Sequence, residues 1–213
     1  MASRAAISTV RSSLGRLNSK TTAFLLCDVQ EKFRSSIHAF ESVVQVSQKL
    51  SATSKILNIP LIVTEQYPRG LGSTAAEIPI DHAVLLDSKT MFSMITPKVA
   101  EKLEELKVGS VVLYGIEAHV CVLQTCLDLL ERQFEVHVVA DGVSSMNWPE
   151  IDIALKRMAA CGAHVVSSES VVFQLAGDAK SPSFPAIRDL VKEHQQAARQ
   201  NKLLFKDTNG ANL

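Results

Sequence analysis

Cysteine is scarce in this chain: four in 213 residues, with no CxxC among them. That excludes a disulfide scaffold, and no spaced set of three or four ligands suggests a structural zinc. Sparse, unpaired thiols imply a reducing, intracellular setting, so any cysteine that matters should matter for its reactivity. Long apolar runs are missing too. Each breaks at Gly, Pro or a charge well short of the roughly 18 residues of a membrane span. Neither charge is in excess, with 22 basic against 22 acidic residues. No Walker A or GxGxxG follows the first or fourth strand-like run, which argues against a standard dinucleotide fold. The glycines of Arg69-Gly70-Leu71-Gly72-Ser73 are too few and misplaced to cradle phosphate.

The zero net charge hides an asymmetry. Residues 1–20 carry Arg4, Arg11, Arg16 and Lys20 and no acid, leaving 18 basic against 22 acidic residues, a net of −4. The acid-free arm, rich in Ser and Arg, reads either as a frayed terminus or as a mitochondrial presequence. The expected compartment is therefore cytoplasmic, or mitochondrial on the second reading. A mildly acidic body gives no electrostatic reason to bind nucleic acid, and no segment suggests a membrane partner. The chain divides into this arm, one domain over 21–200, and a polar tail over 201–213. At 46% hydrophobic residues, the domain can build one sizeable core.

Within the domain, strand-like and helix-like patterns alternate. Apolar runs at Ala23–Cys27, Leu61–Val63, Ala83–Leu86, Val111–Tyr114, Val136–Val139 and Val165–Val166 suit strands buried on both faces. Helices are predicted over Phe40–Leu57, Pro97–Lys107, Ala118–Arg132, from Pro149 to near Gly162, and over Pro185–Ala198, with Gly109 as a left-handed stop. The helix from Ala118 should bury Val120, Leu123, Leu127 and Leu130. Alternation of this kind implies right-handed βαβ units and a parallel sheet covered on both sides.

Ligands of such sheets bind beyond the carboxyl ends of the strands, where strand order reverses. Three reactive side chains follow apolar runs directly. Asp28 ends the first, and either lines a crevice with a partner or caps the next turn; Gln30 and Phe33 could line the same crevice. Lys89 lies just past the third, where a solvated loop lysine is the ordinary reading. An ammonium close to Asp28 and a thiol would stabilise both as anions. Cys121 lies within a turn of the helix after the fourth run, where free N–H groups and the helix dipole favour thiolate and could hold an oxyanion. Cys27, Cys126 and Cys161 read as small buried hydrophobes. His119 pairs poorly with Cys121, because residues i and i+2 of a helix do not face each other. His137 and His164 fall inside strands and His82 in a loop. A redox role for Cys121 requires a resolving thiol nearby; Cys126, about 140° round the helix, does not supply one.

The blocks Leu26-Cys27-Asp28-Val29-Gln30-Glu31-Lys32-Phe33, Thr64-Glu65-Gln66-Tyr67-Pro68, Lys89-Thr90-Met91-Phe92-Ser93 and Gly115-Ile116-Glu117-Ala118-His119-Val120-Cys121 together resemble the isochorismatase-like cysteine hydrolases, in particular their eukaryotic isochorismatase domain-containing branch. The resemblance runs from about Thr22 to Asp178. It implies a three-layer α/β/α fold with a six-stranded parallel sheet of order 3-2-1-4-5-6, setting Asp28 and Cys121 across one crevice. It further implies Cys121 as nucleophile, Asp28 as general acid and base, Lys89 as supporting charge, and a cis peptide at Ile116–Glu117. The N–H groups of Glu117 and Cys121 would form the oxyanion hole, with Gln30, Phe33, Gln66, Tyr67 and Phe92 around the substrate. Homo-oligomers, dimers or larger, are the implied assembly. Family members that are nicotinamidases hold a metal through an Asp and two His after strand two. Thr64–Pro79 contains no His here, so no metal or other cofactor is expected.

The expectation is thus a metal-independent cysteine hydrolase of a small amide, carbamoyl or related acyl compound. The rival reading keeps the fold as a catalytically inactive interaction protein.

Overall fold

A computed structural model describes residues 14–204. Six strands form one wholly parallel sheet: β1 (Thr22–Cys27), β2 (Leu61–Gln66), β3 (Leu85–Lys89), β4 (Ser110–Ile116), β5 (Glu135–Ser144) and β6 (His164–Val166). Their order is β3-β2-β1-β4-β5-β6, so the order reverses between β1 and β4. Every residue of β1 and β4 is buried, as the continuous apolar runs require of central strands.

Helices α1 (Phe40–Leu57), α2 (Pro68–Leu71), α3 (Pro97–Glu105), α4 (Leu123–Glu131), α5 (Trp148–Ala160), α6 (Ser168–Ala176), α7 (Phe184–Glu193) and α8 (Gln195–Arg199) complete the described elements, with a 3-10 turn at Glu31–Phe33. The sheet divides the core. Phe24, Leu26, Leu61, Val63, Val112 and Tyr114 face α1, α6 and α7. Leu25, Cys27, Ile62, Val111, Leu113 and Val138 face α3, α4 and α5. Alternate residues of each strand thus feed opposite layers, giving the three-layer α/β/α fold.

Several boundaries differ from the sequence expectation. β3 starts at Leu85 and runs to Lys89, because an edge strand is defined by its pairing with β2 (Ile62 with Leu85, Gln66 with Lys89) and not by its apolar run. It turns Asp87 and Lys89 inward and leaves Leu86 exposed. α6 was hidden by its polar start. Ser167 caps it by accepting from the Ser170 N–H at 3.2 Å. The predicted last helix breaks at His194 into α7 and α8. Gly109 is not the left-handed residue after α3; Lys107 is, at φ 52°. Gly109 donates instead to the Thr21 carbonyl and starts β4's pairing. Gly162, by contrast, is the left-handed stop after α5, at φ 103°.

The presequence reading falls largely on residues 1–13, outside the described residues. The part of the arm that is described packs down: Leu17 lies against the core. Gly15 approaches the His164 ring so closely that a Cβ would meet it at 2.7 Å. At the other end Asn201 is buried and donates to the Asp141 carbonyl at 2.9 Å. No described helix is long and apolar enough to cross a membrane.

His137 and His164 stack across β5 and β6 with ring centroids 4.9 Å apart. His137 is fully buried and neither ring nitrogen has a hydrogen-bond partner among the described residues. Burial, then the neighbouring His164, lowers its pKa to about 4. His164 itself lies 3.6 Å from Glu135. An unfolded histidine titrates near 6.5, so the unfolded chain takes up the proton first as pH falls. Stability should therefore be complete above about pH 6.5 and decline toward pH 4, by an amount on the order of 3 kcal/mol. Urea melts from pH 7.5 to 4 should show this decline, and His137→Leu should flatten it.

Candidate active site

Asp28 follows the last residue of β1 in a left-handed conformation, φ 52°, tolerated by Asp. This turns its carboxylate into the molecule, where it is 1% exposed. It caps nothing: the following turn has Gln30 at its N-cap, with no side-chain cap. Its oxygens are instead held by three side chains. Lys89 Nζ lies 2.6 Å from Oδ2, Thr64 Oγ1 donates to Oδ1 at 2.8 Å, and Cys27 Sγ donates to Oδ2 at 3.6 Å.

Lys89 is not the solvated loop residue that its sequence position suggests; its side chain is fully buried. As the last residue of β3 it reaches across β2 to Asp28. Its ammonium also donates to Gln66 Oε1 at 2.8 Å, Phe92 O at 2.9 Å and Met91 O at 3.2 Å. Burial alone would pull its pKa down, but the surrounding groups, Cys27, Asp28 and Cys121, outweigh burial and raise it. The lysine is therefore a fixed cation facing both sulfurs and the carboxylate.

Cys121 sits in a single π-helical turn, Ala118–Val122, between β4 and α4. Such turns recur at functional sites. The peptide between Ile116 and Glu117 just before it is cis, as the resemblance implied. The π turn moves the buried face of the segment: Cys121, Val122, Leu123, Thr125, Cys126 and Leu129 are buried, whereas Val120, Leu127 and Leu130, expected inside, are only half-buried. Thr125 Oγ1 donates to the Cys121 carbonyl at 2.6 Å and accepts from Met94 N–H at 2.8 Å. The cysteine's turn is thereby tied to the segment that follows Lys89.

The other expected site residues take different places. Gln30 is fully buried and braces the loop after β2, donating to the Gln66 and Gly72 carbonyls and accepting from the Gln66 N–H. Its amide is taken up by the scaffold, leaving nothing free for a substrate. Phe33 packs half-buried against the core. Gln66 holds Lys89 through Oε1 and the Thr90 carbonyl through Nε2. Glu117 Oε2 accepts from Met146 N–H at 2.8 Å. Tyr67 and Phe92 are 55% and 51% exposed, which leaves both rings open to solvent beside Lys89. His119 turns away to Ser145 Oγ, 2.9 Å from Nδ1, as the i, i+2 geometry requires.

Two cysteines depart from their sequence reading. Cys161 is exposed, at the end of α5 where the helix leaves the core; Cys126 is buried as expected. Cys27 is buried but not inert, because it touches Asp28 and shares a buried cluster with Cys121. Burial first, then Cys121 and Asp28, push its thiol pKa well above the ordinary value, so it holds its proton. Thr64 is the other residue that sequence reasoning missed. Its only signal was a polar side chain ending the apolar β2 run, in register with Cys27.

A carboxylate–lysine pair on one side of the switch point and a cysteine in the first turn beyond it define an isochorismatase-type α/β hydrolase fold. The isochorismatase domain profile matches residues 22–170, and the chain belongs to the isochorismatase family. It is 48% identical over 180 residues to isochorismatase domain-containing protein 1 of Salmo salar, a match covering 84% of this chain and 64% of that protein. The chain thus spans less than two thirds of that relative's length. It is 42% identical over 184 residues to human isochorismatase domain-containing protein 2, covering 86% and 89%. Among solved structures, the MAR1 ribonuclease from Caenorhabditis elegans superposes with a TM-score of 0.80 at 43% identity, over 83% of this chain and 92% of that one.

Removing one partner of a buried ion pair strands the other charge, at a cost of about 3–5 kcal/mol, whereas removing both costs much less. Lys89→Met and Asp28→Asn should each lower the urea midpoint. The double variant should be more stable than the sum of the single losses predicts. Simple additivity in a double-mutant cycle would show that the two charges are not coupled.

Proposed function

We propose that this protein is a metal-independent cysteine hydrolase of a small amide, carbamoyl or related acyl compound, working through a thioester. The observation that carries the reading is the buried Lys89–Asp28 pair at 2.6 Å, set beside two thiols at the switch point of the sheet. Asp28 takes the Cys121 proton, and the sulfur attacks the substrate carbonyl. The N–H groups of Glu117 and Cys121 receive the oxyanion, and the tetrahedral adduct collapses to an acyl-enzyme. Asp28 passes its proton to the leaving amine, then draws one from the water that hydrolyses the thioester and returns it to the Cys121 sulfur as the acid departs. Lys89 holds one carboxylate oxygen of Asp28, and Thr64 fixes the second. Independence of a metal rests on the His-free stretch Thr64–Pro79, where metal-binding relatives carry two histidines.

Tyr67 and Phe92 are the side chains this reading gives to the body of the substrate. With Met91, Met146 and Trp148 they are exposed apolar residues; Met91 and Phe92 follow Lys89, the Tyr67 N–H donates to the Lys89 carbonyl, and the Met146 N–H donates to Glu117. Such surface also supports assembly into a dimer or larger homo-oligomer, which light scattering reads directly. The likeness to a worm protein named as a ribonuclease raises RNA as a substrate. A body of net charge −4, without a basic stripe in its sequence, favours the small acyl compound.

The test is a panel of small primary amides, carbamoyl compounds and an RNA oligonucleotide, followed by intact-mass analysis of trapped enzyme. The expected result is an acyl adduct on Cys121, with turnover falling at least about a hundredfold in Cys121→Ala and in Asp28→Asn while the fold is retained. RNA cleavage that survives Cys121→Ala would overturn the reading. So would a folded protein whose Cys121 alkylates no faster than exposed Cys161, an outcome favouring the interaction protein.

A further inference from the structure

Four cysteines in the whole chain make the meeting of two of them at one site unusual. Cys27 is the last residue of β1, and strand alternation sends its side chain to the same face as Ala23 and Leu25. That face packs against the helices following β4, and Cys121 belongs to the same buried cluster. In the sheet, Cys27 lies opposite Gly115 of β4. A Cβ on residue 115 would drive into the Cys27 backbone, so glycine is what lets the two strands close up here. Both cysteines are free thiols in one buried cluster, Cys121 acts on the Cys27 thiol and helps hold its proton, and the Cys27 sulfur lies 3.6 Å from Asp28 Oδ2. The crevice therefore holds two sulfurs, one lysine and one carboxylate in mutual contact or electrostatic reach.

We propose that Cys27 and Cys121 form a reversible disulfide when the protein meets a hydroperoxide, making the pair an oxidation site. Asp28 takes the Cys121 proton, and the sulfur attacks one peroxide oxygen. The O–O bond breaks, the departing hydroxide takes that proton from Asp28 to leave as water, and the sulfur, oxidised by two electrons, becomes a sulfenic acid. Asp28 takes the Cys27 proton, and the Cys27 sulfur attacks the sulfenic sulfur. An S–S bond forms as the S–O bond breaks, and the departing hydroxide takes the proton from Asp28 to leave as water. Overall, two thiols and one hydrogen peroxide give one disulfide and two waters. The order of events follows from the environments. Cys27 is fully buried and held protonated, so it is a poor first target, whereas Cys121 keeps 7% exposure. Asp28, which faces both steps, gives Cys27 the base that its burial otherwise denies it.

This goes beyond the hydrolase reading and does not depend on it, because its readout needs no substrate. The reduced full-length protein is treated with hydrogen peroxide, quenched, and mapped by peptide mass spectrometry without reduction. The expected product is a Cys27–Cys121 cross-linked peptide, two hydrogens lighter than the reduced pair. Alkylation of both residues should fall at least about tenfold and return with dithiothreitol. In Cys27→Ser, Cys121 should stop at a sulfenic acid that dimedone captures. Dimedone on wild-type Cys121 with Cys27 still alkylatable overturns the proposal. So does a disulfide to Cys126 or Cys161, or oxidation of Cys161 alone. The wild-type map decides the matter even where Cys27→Ser fails to fold. Hydrolysis by the reduced protein, assayed separately, reports on the catalytic reading alone.

Discussion

Everything at the sheet's carboxyl edge depends on where the Asp28 carboxylate places its charge. It is buried, and a buried carboxylate without partners would either take up a proton or unfold its surroundings. Its partner comes from β3, two strands away, so the pair exists only when β2 lies between β1 and β3 in the observed register. The lysine is held in turn by Gln66 and by the carbonyls of Met91 and Phe92, which shape the loop beyond β3. Gln30 grips the loop beyond β2 from the other side. A single ion pair thus orders three loops. Buried pairs of this kind are weak contributors to stability.

Across the switch point the constraint is steric. β4 must approach β1 closely at Gly115, and the chain then passes through the cis peptide into the π turn that presents Cys121. Thr125 and Met94 join that turn to the lysine's side of the crevice. The thiol and the carboxylate–lysine pair therefore belong to one rigid assembly, although their residues are separated by about half the chain. Cys27 lies at the junction, on β1 where the two halves meet, and its protonated thiol is what each half touches.

The layered fold was legible because strands buried on both faces carry continuous apolar runs, and β1, β2 and β4 each contain one. Helices beginning at Pro97 and around Pro149, and the long segment from Phe40, were legible from their spacing and starts. What failed failed for local reasons. β3 carries buried Asp87 and Lys89, so its pattern imitates a loop. α6 opens on a run of serines, and the split at His194 leaves no mark in the spacing. The π turn shifted the buried face from Val120 to Cys121 and Val122, a change that 3.6-residue periodicity cannot anticipate.

By itself, the sequence determined the class of fold and singled out three candidate residues at strand ends, since hydrophobic runs and their polar terminators are linear features. Spacing alone also excluded His119 as the partner of Cys121. Only the tertiary structure decided which groups meet. It buried a lysine that looked solvated, committed Gln30 to backbone, brought Thr64 to Asp28, and turned Cys27 from a packing residue into a neighbour of Cys121. Those outcomes rest on strand order and register, which bring distant residues into contact and are written in no local stretch of the chain.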